Sequence, residues 1–219
     1  MSLKIDFKIL IFALFFCLTE QIKYYLIIML FASIHEMAHL LTGIIMGFKV
    51  KKLQLMPVGL SLSFKEDINS YNKKILKGNI FSIKKIIVLL AGPLINIIIA
   101  AIFLNMKAGT IFISKEEIIY SNLLIAFFNL LPIYPLDGGR IIRRILYIFL
   151  GLKKSLQYTL IITNIMAIIL NSILLIAIYI TRNIAFLFII IYLIAIVIIE
   201  SQNIKMKLKI YKILEKNNL

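Results

Sequence analysis

The sequence predicts an all-α polytopic membrane protein, with about six transmembrane helices and one short membrane-associated β-hairpin after the second. Three observations predict it. The 219-residue chain is 62% hydrophobic with a mean hydropathy of +1.00, far above the apolar share of a soluble domain. Its apolar residues gather into runs, most of them near the roughly 17 to 25 residues that cross a bilayer as a helix. Its basic residues fall almost entirely beside one end of those runs. No stretch is left over that could bury a separate soluble core.

The first run, about Phe7 to Thr19, is short and follows Lys4 and Lys8. No small-x-small cleavage site follows it, and Cys17 lacks the small residues of a lipoprotein signal, so it reads as an uncleaved anchor. The second, Tyr24 to Phe48, carries both histidines of the chain. Apolar residues then alternate from Leu53 to Phe64 on either side of a Pro57-Val58-Gly59 turn, the pattern of a hairpin. An edge strand there could hold an extended substrate by strand addition, or the hairpin could simply pack on the membrane face. The third run, Ile83 to Met106, contains Gly92-Pro93 and Asn96. The fourth, Ile118 to Pro135, ends in Asn129-Leu130-Leu131-Pro132-Ile133-Tyr134-Pro135-Leu136-Asp137-Gly138-Gly139-Arg140. Its prolines each remove a backbone donor and its paired glycines permit left-handed angles. Such backbone at membrane depth is tolerated only where protein buries it or it lines a wet cavity, so a cavity is expected here. The fifth and sixth runs are Leu156 to Ile180 and Asn183 to Ile199. Asn164 and Asn171 share one face of the fifth and read as interhelix contacts. Residues 1–202 are expected to form one intramembrane domain, with its core at about 24–140, and 203–219 a basic cytoplasmic tail.

Charge orients this scheme. With a cytoplasmic amino terminus and six spans, the inside segments hold 21 of the 25 basic residues, and only Lys23, Lys107, Lys115 and Arg182 lie outside. The positive-inside rule is strongly satisfied, and both termini are cytoplasmic. The net charge of +15 is then accounted for by loops beside anionic lipid, with Lys73, Lys74, Lys77, Lys84 and Lys85 at the headgroups, and nucleic acid is not required. A single cysteine excludes an intrachain disulfide and a cysteine-based metal cluster.

The chemistry is concentrated in His35-Glu36-Met37-Ala38-His39. Residues i and i+4 share a helix face, so both imidazoles can converge on one metal ion, while Glu36 points aside and can reach the attacking water. The bland reading is a hydrogen-bonded polar pair between helices. Asp137 and Glu36 are the acidic residues best placed within the protein at membrane depth, where an unpaired charge costs about 2.5–3.5 kcal/mol. A zinc ion held by His35, His39 and Asp137, with one position open, offsets both and makes the three-ligand catalytic pattern. Asp137 could instead cap the next helix or pair with Arg140. Asn96 could donate to a reacting carbonyl or hydrogen-bond a neighbouring helix. A transporter using the same polar residues as a proton or metal-ion relay is the alternative from another class. It has no need of histidines at i and i+4 with a glutamate between.

Taken together, the His35–His39 motif, Ala91-Gly92-Pro93-Leu94-Ile95-Asn96 and the Asn129–Gly139 segment resemble the site-2 protease family of intramembrane zinc metalloproteases. The likeness covers roughly residues 24–140 and is strongest toward members that process a sigma-factor precursor in sporulation. It implies one zinc per chain on His35, His39 and Asp137, Glu36 as general base, and Asn129 holding substrate, and Asn96 and Pro135 are further substrate-binding candidates. It also implies a membrane-associated protein substrate, membrane-bound regulatory or inhibitory partners, and a place in the bacterial cell membrane or the membrane around the forespore. No PDZ-type domain interrupts the spans, and the tail from Ser201 to Leu219 is shorter than the CBS domain that many sporulation members carry.

Overall fold

Six helices and three short strands make up the described part of the chain. The structure, a computed structural model, describes residues 2–5, 8–56, 59–64, 75–106, 109–110, 112–182 and 185–217. In order, these are strand β1 (Ser2–Ile5), helices α1 (Lys8–Leu18) and α2 (Ile22–Ile45), strands β2 (Val50–Met56) and β3 (Gly59–Phe64), and helices α3 (Ile75–Asn105), α4 (Lys115–Leu130), α5 (Asp137–Thr181) and α6 (Ala185–Asn217). The chain divides into two units, Met1–Asn129 and Leu130–Leu219.

In the first unit, α2, α3 and α4 alternate in direction, as three side-chain ties show. Lys23 and Glu117 form an ion pair at 2.7 Å, joining the starts of α2 and α4. Lys115 Nζ donates to the Leu104 carbonyl at 3.0 Å, so the end of α3 lies at the start of α4. At the opposite end Phe48 and Phe81 meet edge to face, with centroids 5.5 Å apart. The apolar core between the helices joins Ile27, Phe31 and Ala32 of α2 to Ile118 and Ile125 of α4, with Ile99 and Phe103 of α3 against them. Leu26, Leu30, Leu41 and Ile45 on the other side of α2 stay exposed, as side chains turned toward hydrocarbon do.

Local sequence explains where these helices stop and start. At the end of α2, Gly47 has φ +84°, Phe48 N–H donates to the Gly43 carbonyl and Gly47 N–H to Ile44. That double bond around a left-handed residue is the Schellman motif, which glycine favours. At the start of α4, Glu117 N–H donates to Ser114 Oγ at 3.2 Å and Ser114 N–H to Glu117 Oε2 at 2.9 Å, a capping box. The hydrogen bond from Lys23, then that from the Ser114 backbone, holds the Glu117 carboxyl below the usual range.

Strands β2 and β3 pair antiparallel, with Leu53 opposite Leu62 and Leu55 opposite Leu60. The expected turn residues Pro57 and Val58 lie outside the described residues, as do Lys65 to Lys74. The sequence reading had no strand at the amino terminus. There β1 pairs parallel with β2, which covers one edge of β2 and leaves β3 at the edge of the sheet, beside α2.

In the second unit α5 packs along α6. Where a basic loop was expected before Leu156, the chain is helical from Asp137, bent at Gly151, where φ is +76° and ψ 177°. Ser201 Oγ donates to Asn164 Oδ1 at 3.3 Å, joining the two helices as expected for Asn164. Among the described residues three helices are long and apolar enough to cross a membrane, Ile22–Ile45, Asn79–Asn105 and Asp137–Thr181. Helix α1, with 11 residues, is about 16 Å long and α4, with 16, about 24 Å, both short of a hydrocarbon core of about 30 Å.

Candidate metal centre

The site begins on α2. His35 and His39 lie one turn apart on its buried face, about 20 Å along the helix from Ile22, and are 3% and 5% exposed. Glu36, the next residue, is half-buried. The imidazole rings stand edge to face, with Nε2 of one 3.1 Å from Nε2 of the other.

Helix α3 supplies what the rings need on their far sides. Val88, Gly92 and Asn96 are spaced i, i+4, i+8 and so share one face, and all three are buried. His39 Nδ1 donates to the Val88 carbonyl at 2.7 Å, and His35 Nδ1 to Asn96 Oδ1 at 2.7 Å. A Cβ on Gly92 would overlap Nε2 of His39 and crowd Nε2 of His35. Only glycine lets the α3 backbone come this close to the pair.

A neutral ring that donates from Nδ1 keeps a lone pair on Nε2, and the two Nε2 atoms lie 3.1 Å apart. A cation resolves that arrangement. Two imidazole nitrogens on one tetrahedral zinc stand about 3.3 Å apart, so the pair fits such an ion. An acceptor behind each Nδ1–H is also what orients histidine ligands and raises their basicity.

Asn96, expected either to hydrogen-bond a neighbouring helix or to donate to a reacting carbonyl, has its amide engaged by α2 and α4. Its Nδ2 donates to Asn122 Oδ1 at 2.8 Å, and Asn122 Nδ2 donates to the Ile118 carbonyl of α4 at 2.8 Å. The sequence reading did not single out Asn122. The signal available was an amide one turn into an apolar run, where a polar group turned inward needs a partner. Asn129, the last residue of this unit, is half-buried and its Nδ2 donates to the Ile125 carbonyl at 3.0 Å.

The remaining candidates lie in the second unit. Asp137 is the first residue of α5 and is 6% exposed, the only buried carboxylate among the described residues. The N-cap position is taken by Leu136. The helix dipole favours an anion in this first turn. Pro135 is half-buried in the segment that folds back before it, where Ile133 N–H donates to Leu131 and Leu136 N–H to Ile133. A Cβ on Gly138 would run into the Leu130 and Leu131 carbonyls, so glycine allows that fold-back. Thr163 Oγ accepts from Tyr134 N–H at 3.0 Å and anchors the segment to the body of α5.

The sequence profile of peptidase family M50 matches residues 23–114 and 106–173. The chain is 30% identical over 143 residues to the stage IV sporulation protein FB of Bacillus subtilis, a span covering 64% of this chain and 44% of that protein. It is 32% identical over 137 residues to a zinc metalloprotease of Methanocaldococcus jannaschii, covering 59% and 37%. The matched span is thus less than half the length of either relative. The solved site-2 protease from Methanocaldococcus jannaschii is similar in fold, with a TM-score of 0.64, 22% identity and 92% of each chain covered.

Proposed function

This chain belongs to peptidase family M50, and from that membership we propose that it is an integral-membrane zinc metalloendopeptidase that hydrolyses a peptide bond of a membrane-associated protein within the bilayer. The observation that carries the reading is the histidine pair, with each Nδ1 2.7 Å from an oxygen on α3 and the two Nε2 atoms converging to 3.1 Å. His35, His39 and Asp137 hold one zinc in this proposal, because a buried carboxylate calls for a cation and the three make the ligand set of a catalytic zinc. Zinc, when bound, would polarise the scissile carbonyl and bring the pKa of a water toward about 7.

The protein groups do the rest. Glu36, in the turn that carries both histidines, takes a proton from the attacking water and passes it to the leaving amine. Asn129 and Pro135 border the segment ahead of Asp137 and seat the substrate, and Asn96 holds the ring of His35. The substrate must unwind first, since a helix keeps its carbonyls in hydrogen bonds. The edge strand β3, beside α2, offers backbone groups to an extended peptide.

The likeness to a sporulation protein supports a sigma-factor precursor as substrate and membrane-bound regulatory proteins as partners. The partition of basic residues supports cytoplasmic termini and a cut on the cytoplasmic side. The test is to purify the chain, measure bound zinc, and reconstitute it with a tethered pro-sequence. One zinc per chain and a cleaved product are expected. A metal-free protein that leaves the precursor uncut would refute the proposal.

A further inference from the structure

The histidine pair serves a cation only if neither ring keeps its proton on Nε2. For His39 a backbone carbonyl decides, because Val88 O can only accept. For His35 the partner is an amide, and an amide has two ends of nearly the same shape and opposite role. With Asn96 Oδ1 toward the ring the proton stays on Nδ1. With Asn96 Nδ2 toward the ring it would have to move to Nε2.

The decision is made two residues further out. The Ile118 carbonyl can only accept, so Asn122 must turn Nδ2 toward it, at 2.8 Å. That leaves Asn122 Oδ1 facing Asn96, which must answer with Nδ2, at 2.8 Å. Asn96 Oδ1 is then the atom left for His35, at 2.7 Å. Both amides are 0% exposed, so bulk water does not compete for either end. Which nitrogen of an imidazole carries the proton follows the hydrogen bond made by the other.

We propose that Asn122 is a positioning residue, which sets the tautomer of His35 through Asn96 and so turns an Nε2 lone pair toward the zinc. The part concerning zinc rests on the function proposed above. The part concerning the tautomer rests only on the hydrogen-bond chain.

The chain has only two histidines, so ¹⁵N-histidine labelling gives two rings to read in the metal-free protein, at a pH where both are neutral. In the wild type both are expected in the Nδ1–H form. A wild-type His35 in the Nε2–H form overturns the proposal without any variant. In Asn122→Leu the Asn96 amide loses the acceptor that orients it, and the His35 ring is expected to shift toward Nε2–H. His39, tied to Val88, stays unchanged and reports an intact fold. Asn122→Asp keeps an acceptor facing Asn96 and is expected to restore the wild-type spectrum. Zinc retention against a competing chelator should weaken about 10- to 100-fold in Asn122→Leu and little in Asn122→Asp. If Leu unfolds the chain, moving both rings, Asn122→Ala is read in the same way. A folded variant lacking the side chain in which His35 keeps its Nδ1–H form overturns the relay. The expected tautomers in a wild type that binds no zinc would leave the relay standing and remove the metalloprotease reading.

Discussion

Replacing His35, His39 or Asp137 by alanine takes one donor from the proposed three, so each variant is expected to lose zinc and cleavage together. Metal analysis of the purified variants checks this, and full zinc in Asp137→Ala would remove that residue from the site. Glu36 is proposed to move protons and leave the metal alone. Glu36→Gln should therefore keep zinc and bound substrate while turnover drops by about 10² to 10⁴, and equal cleavage by variant and wild type would end its assignment as the base. Gly92 has a different task. A Cβ there meets both Nε2 atoms, so Gly92→Ala should push α3 off the pair, weakening zinc binding in a chelator competition and costing about 1–3 kcal/mol of stability from overpacking. An unchanged zinc affinity would show that the close approach at Gly92 does not shape the site.

Elements are held in register by polar ties at their ends. Glu117 caps α4 through Ser114 and reaches across to Lys23 on α2. Its carboxyl is held below the ordinary range in the folded chain, so its contribution is present above the unfolded pKa and is lost as pH falls through the lower folded one. In detergent, wild type should melt above Glu117→Gln at neutral pH, and the gap should close as the solution is acidified below the ordinary carboxylate range. A gap that stays constant with pH would mean that the tie does not act through charge. The turn before α5 depends on shape. Gly138→Ala forces the Leu130–Leu131 backbone away and is expected to cost about 1–3 kcal/mol, read as a lower unfolding midpoint, with cleavage reduced because Asp137 and Pro135 move with the turn.

For the whole molecule the question is which end faces the cytoplasm. Within the first unit, Lys23 and Lys115 sit at one end of the α2–α3–α4 core and Met46, beside Lys84, at the other, in keeping with the partition of basic residues along the chain. In a Cys17→Ser background, a cysteine at Glu116 should label from outside and one at Lys49 from inside, both positions being exposed. The reverse pattern would overturn the proposed orientation and the proposed side of cleavage.

Apolar runs, the histidine spacing and the breaking of the chain around Pro132 to Gly139 are local patterns, so the sequence by itself determined the membrane class, the helix carrying the histidines and the burial of Asp137. The capping box at Ser114 and Glu117 is equally local. Three things needed the tertiary structure. The acceptors behind the histidines, Val88 and Asn96, lie 49 and 61 residues away, and Asn122 lies a further 26 beyond Asn96. The strand β1 becomes a strand only because β2 offers it an edge. The helical stretch from Asp137 to Gly151 carried basic residues that read as a loop, although spacing on one face allows charges and helix together. Hydrogen-bond partners brought together across helices leave no period in the sequence, and a single amide such as Asn122 gains its role from standing between the Ile118 carbonyl of its own helix, to which it donates, and the Asn96 amide nitrogen, from which it accepts.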